Sequence, residues 1–209
     1  MSTNGAPPET QGQPQPPSVV RRLEGESAAV LGDLVETFEE LQTVLRCCER
    51  LVSEVSGRPH PDEVVVEGVW TLALLSYARS FAERRTGARL TEEDLTTAMP
   101  ESEVLKWHKI LLQLRDQHAD PVASPRERFT IAVTQGDDGA ASGVAITSAR
   151  QPLVDEVTVR QTGAIAYALS ELVNKRIEAQ QLVVFEELKE ASRADLEKLE
   201  TVELAPASN

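Results

Sequence analysis

The sequence predicts a mainly α protein, a helical bundle with one small β-hairpin at about residues 128–148 and a long C-terminal helix. Three observations predict it. Apolar residues recur every three or four positions over most of the chain, the period of a helix with one buried face. Between Arg128 and Ser148 that period changes to two, the period of a strand. Aromatic residues make up only 4% of the chain, which leaves the core to Leu, Val, Ile and Ala, side chains that suit helix packing.

Residues 1–22 contain five prolines with Gln, Gly, Ser and Thr and offer almost nothing to bury, so a disordered Pro/Gln-rich tail is expected there. Its Pro14-Gln-Pro-Pro17 also fits a polyproline II ligand. A first helix follows over Ser27–Val55, where Val30, Leu34, Phe38, Leu41, Leu45, Cys48, Val52 and Val55 form one stripe. Gly57-Arg-Pro-His-Pro61 stops it, because proline cannot continue the hydrogen-bond ladder. The second helix begins near Asp62 and is read as running to Gly87. Its apolar set, from Val65 and Val66 through Trp70 and Tyr77 to Phe81, covers so much of its circumference that it is expected to be the central element.

Thr91-Glu-Glu-Asp94 has the composition of an N-cap with acidic residues in the first turn, which suit the positive end of the helix dipole. A short helix there leads through Pro100 into a fourth, on which Val104, Leu105, His108, Leu111, Leu112 and Arg115 share one side. Arg128–Thr134 and Ser142–Ser148 alternate apolar with small or polar residues around Gly136-Asp-Asp-Gly139, a hairpin with its turn. An isolated hairpin is marginal in water, so this one is expected to lean on the helices. From Val154 an apolar stripe runs to Leu188 before charge takes over. A helix from there to Glu200 would reach about 70 Å, long enough that it must kink or project. One helical domain over 23–190 is therefore expected, with a charged helix end and disordered tail over 191–209.

The net charge of −13 opposes broad attraction to nucleic acid or anionic lipid, which disfavours RNA as a partner. Arg79, Arg84, Arg85 and Arg89 form a local basic group, diluted by Glu83, that reads as a solvated helix end. Cys47 and Cys48 are adjacent inside a helical pattern and read as small buried side chains in a reducing compartment. With His60, His108 and His118 scattered and no C-x-x-C spacing, no metal site is expected. Asp137 and Asp138 read as turn residues rather than calcium ligands. No stretch approaches the roughly 20 apolar residues of a membrane span, and no basic start precedes an apolar run, so the expected location is cytoplasmic with no membrane partner.

The phosphate-loop, dinucleotide-binding, nucleophile-elbow and zinc-protease motifs are absent, and no cofactor is implied. The chemistry that remains is Arg115, Asp116 and His118 at the close of the fourth helix. A guanidinium there can hold a phosphate and an imidazole can act as acid or base on a ribose hydroxyl, the two roles a metal-independent ribonuclease needs. The same residues also make sense structurally: Arg115 suits the negative end of the helix dipole, Asp116 pairs with it, and His118 satisfies a terminal carbonyl. His108, on the apolar face, reads as a hydrogen-bonded core histidine, and Arg79 as its buried polar neighbour or a phosphate clamp.

From Tyr77-Ala-Arg-Ser-Phe81, through Leu105-Lys-Trp-His-Lys-Ile-Leu-Leu-Gln-Leu-Arg-Asp-Gln-His118, to the hairpin and long last helix, the chain resembles uncharacterised bacterial proteins distantly related to the HEPN superfamily, over about residues 60–190. The resemblance implies a small helical bundle, often dimeric, among ribonucleases and components of bacterial stress and defence systems. Active members carry Arg, usually a polar residue, four to six further residues, then His. Arg115-Asp116 matches the first half of that pattern. Positions 120, 121 and 122 are Asp, Pro and Val, and His118 stands too early, so the motif is degenerate.

That departure favours a non-catalytic, HEPN-like interaction protein, which the resemblance implies is a homodimer, joined through helix faces near Arg115 or the last helix, with Arg79, His108 and Arg115 as binding residues. Two alternatives stand beside it. One is an active metal-independent ribonuclease in which Arg115 grips phosphate, Asp116 orients it and His118 does the acid–base work. The other is an adaptor whose C-terminal helix binds a protein partner.

Overall fold

In a computed structural model, the chain is described over residues 19–57, 59–101, 103–122 and 124–203. The polyproline segment and the last six residues lie outside these. Six helices and one hairpin follow in order: α1 (Glu26–Gly57), α2 (Glu63–Ser80), α3 (Glu92–Ala98), α4 (Val104–Ala119), β1 (Glu127–Gln135), β2 (Ala141–Arg150), α5 (Glu156–Lys189) and α6 (Arg193–Lys198). The mainly α class, the hairpin and the long C-terminal helix are as the sequence predicts.

The bundle is laid out as α5–α1–α2–α4, with α3 wedged between α4 and α5. Helices α1 and α5 run antiparallel over nearly their full lengths. Ser27 bonds Glu187 at one end, and at the other Ser56 bonds Glu156 at 2.6 Å. Each is about 50 Å long at helical rise, and α5 lies along α1 and does not project. It stops at Lys189, and Ser192 caps a separate turn of helix through its bond from the Asp195 amide, 3.2 Å. Beyond α6 the chain returns to residues 20–22: Arg21 bridges Thr201, the Arg22 amide donates to the Glu200 carbonyl at 2.8 Å, and the Val202 amide to Val20 at 2.9 Å. Residues 20–22, within the segment expected to be a tail, are thus paired with 200–202, and the expected charged helix end forms the separate helix α6.

The core is built from Leu41, Val44 and Leu51 of α1, Val66, Leu74 and Tyr77 of α2, Leu111 of α4, and Val159, Ile165, Leu169 and Val173 of α5, all buried. Helix α2 is densely buried but shares the centre with α1, which packs on both α2 and α5. It also ends at Ser80, about two turns before Gly87. The Asp33 carboxylate on α1 takes the Thr86 amide at 2.9 Å and the Thr86 hydroxyl at 2.6 Å, which holds residues 83–87 in a non-helical turn closed by Gly87 at φ +79°. Cys47 and Cys48 are buried free thiols, as the sequence reading has them, and burial pushes the Cys48 thiol up to about 12.

The hairpin departs from expectation. It is joined to the bundle at its base, where Arg126 pairs with Glu67 at 2.6 Å and Arg150 with Glu63 at 3.0 Å, both carboxylates on α2. Beyond the base neither strand packs on a helix, and nearly every strand residue is exposed. The turn is sound: the Gly136 amide donates to the Ala140 carbonyl, and the Ala140 amide to Asp138 Oδ1. Asp138 thus serves the turn, as predicted.

Candidate functional site

Helix α3 closes the gap between α4 and α5 at one end of the bundle through the Arg176–Asp94 ion pair. At the other end no described residue fills that corner, and a cleft of about 1020 Å³ opens beside the hairpin base. Its apolar floor includes Val66, Trp70, Leu114 and Leu153; Glu67, His118, Arg126, Arg128 and Asp155 bring charge and polarity, and Phe129 of β1 stands at its edge. Asp155 caps α5 by accepting from the Thr158 amide at 2.7 Å, and those bonds hold its carboxyl below the ordinary range.

The hairpin continues this surface. Cross-strand partners share a face, and the register pairs Phe129 with Ser148, Ile131 with Ile146 and Val133 with Val144. Those five apolar side chains therefore lie on one side of the ribbon, each more than three-fifths exposed. The opposite side carries Thr130, Ala132, Thr134, Gly143, Ala145 and Thr147. A contiguous patch of that kind is the sort of surface that marks an interaction site on a soluble protein.

The residues singled out from sequence do not converge. His118 lines the cleft, but its Nδ1 lies 2.9 Å from the Leu114 carbonyl. A carbonyl only accepts, so Nδ1 carries a proton and donates to it. Arg115 is one-third exposed, and its Nε sits 2.8 Å from Asp116 Oδ1 in an ion contact without hydrogen-bond alignment. Asp116 is thus occupied with its neighbour. His108 is buried, with Nδ1 2.9 Å from the Tyr77 hydroxyl and its ring 4.4 Å from that of Phe81; burial lowers its pKa. This is the core histidine the sequence foretold. Arg79 is not its buried neighbour: the side chain is 65% exposed and 3.7 Å from Glu40. Arg84 of the same basic group pairs with Glu36 at 2.6 Å.

Among the described residues no cluster of three or more His, Cys, Asp or Glu side chains could hold a metal ion, and no helix is long and apolar enough to cross a membrane. The class that fold and site define is a helical bundle with an open corner and a protruding apolar ribbon. No protein-family model, curated protein or solved structure matches the chain.

Sequence reasoning missed the cleft and expected the hairpin to lean on the helices, without singling out its five apolar residues as one exposed face. A signal was present. The chain contains only two strand patterns, so a ribbon apolar on one side has no second sheet to cover it.

Proposed function

We propose that this chain is a non-catalytic, HEPN-like helical interaction protein that binds another polypeptide through the hairpin face and the cleft at its base. The observation that carries this reading is the hairpin itself, a two-stranded ribbon with five apolar side chains in water and no helix beneath them. Such a surface costs free energy in isolation and is relieved by a partner. The bundle, with α4 closing on Arg115-Asp116, supports keeping the HEPN resemblance. The local engagement of Arg115 by Asp116 and of His118 by Leu114 supports the non-catalytic form, since neither group is poised on a shared phosphate position.

The test is incubation of a mixed RNA pool without divalent metal with the wild-type chain, Arg115→Ala and His118→Ala. Intact RNA in all three is the expected result. Cleavage by the wild type that both substitutions abolish would overturn the reading and assign a metal-independent ribonuclease.

A further inference from the structure

We propose that the occupant of the hairpin face is a second copy of this chain, the two ribbons stacking face to face about a two-fold axis with their tips pointing in opposite directions. The inference rests on the association reading above and names its partner.

Charge is the first argument. The whole chain carries −13, so two copies repel over most of their surfaces. From Phe129 to Ala149 the only charged residues are Asp137 and Asp138, both at the turn. The ribbon is thus a long uncharged surface where like chains approach without an electrostatic penalty. Neither strand carries Lys or Pro between Phe129 and Ala149, the residues that usually guard a solvent-facing strand against another copy.

Symmetry is the second. The apolar rows Ile131/Ile146 and Val133/Val144 follow one another along the ribbon, so a two-fold axis between them lays the Ile row of each copy on the Val row of the other. Stacked sheets stand about 10 Å apart, the depth that two layers of Ile, Val and Phe side chains fill. Covering five side chains on each copy removes on the order of 1,000 Å² from water, the lower bound of a specific interface.

Orientation follows from charge as well. Opposed tips keep Asp137 and Asp138 of one copy away from their counterparts and bring them toward the other ribbon's base, where Arg126 and Arg150 are paired with Glu67 and Glu63 and Arg128 adds a further positive charge. The tip then also lies at the mouth of the partner's cleft, so the open corner of each bundle is completed by the other copy.

Sedimentation of the full chain tests this. The wild type should show twice its 22.9 kDa chain mass. Ile131→Glu should halve that mass with an unchanged circular dichroism spectrum, and mixing Ile131→Glu with Ile131→Lys chains should restore the doubled mass. Thr130→Glu, on the opposite face, should leave the dimer intact. A wild type that sediments as a single chain, a dimer that survives Ile131→Glu, or equal disruption by Thr130→Glu would each overturn the proposal. These outcomes leave the association reading standing with a different partner, whereas RNA cleavage would remove that reading itself.

Discussion

Asp94 is the residue whose loss should do most to loosen the closed end of the bundle. It sits third in α3, where its carboxylate accepts the Thr91 amide at 2.9 Å and the Thr91 hydroxyl at 3.1 Å, while the Asp94 amide donates back to Thr91 Oγ1 at 3.3 Å. That reciprocal capping box starts a helix of only seven residues, too short to hold itself together in water. The same carboxylate takes both terminal nitrogens of Arg176 on α5. One side chain therefore both forms the wedge and fastens it.

Replacing Asp94 with Ala removes the cap and the charged hydrogen bonds together. Capping accounts for about 1 kcal/mol, and hydrogen bonds to a charged group for about 1.5–3 kcal/mol. Arg176 is 39% exposed, so water recovers part of the second term. A net loss of about 2–3 kcal/mol follows, or roughly 5–10 °C in Tm for a chain of this length. Asp94→Asn keeps an acceptor for Thr91 and should cost only about 1 kcal/mol. Burial raises the Asp94 carboxyl, but the bonds from Arg176 and Thr91 outweigh it and hold the pKa below 3.8. The contribution is therefore fully present above the unfolded value and lost as pH falls through the folded one, so wild type and Asn variant should converge in acid. Urea midpoints at constant m-value measure all three chains. An Ala variant within about 0.5 kcal/mol of wild type, or a wild-type–Asn gap that does not change with pH, would refute the reasoning.

Tyr77→Phe should cost about 1–3 kcal/mol by leaving buried His108 Nδ1 without its partner. Because burial lowers the His108 pKa, its contribution to stability should decline as pH falls from about 6.5 toward the folded value; a ring-proton titration at or above 6.5 would contradict this. Two glycines should respond in opposite senses to Ala. Gly68 lies within α2 with open space around its Cα and should gain roughly 0.5–1 kcal/mol, whereas Gly87, at φ +79°, should lose about 1–2 kcal/mol; thermal melts that fail to separate the two would contradict the assigned conformations.

The helices were legible because their determinants are local. Thr91 reads as a cap and acts as one, and Asp62, near which the second helix is expected to begin, caps it by accepting the Val64 and Val65 amides at Oδ1. What local pattern could not show was where long-range bonds override it. Helix α2 reads as continuous to Gly87, yet Asp33, more than fifty residues earlier, takes the Thr86 backbone and ends it. The pairing of residues 20–22 with 200–202 spans almost the whole described chain. The break before α6 was different in kind: Ser192-Arg-Ala-Asp195 is a cap signature available in the sequence, submerged in a run of charge.

The candidate site was legible in its parts and not in its arrangement. Arg115 and His118 stand three residues apart on α4, close enough to invite a catalytic reading, but each meets a near neighbour: Asp116 lies 2.8 Å from the guanidinium Nε without hydrogen-bond alignment, and the Leu114 carbonyl takes the imidazole Nδ1. The cleft could not be read from any motif, because it is a corner where α4 and α5 fail to meet, and helix spacing carries no information about a missing neighbour. The hairpin shows the reverse case. Alternation gave its strands and its two faces, and marginal stability gave the inference that the apolar face must be covered. The expectation that failed was that the hairpin leans on the helices; whether it pairs with its copy in a second subunit was open from the sequence. With the bundle's own helices engaged with one another and the ribbon held only by Arg126 and Arg150 at its base, the same physical demand points outward, to a partner surface that is uncharged and apolar in the same places.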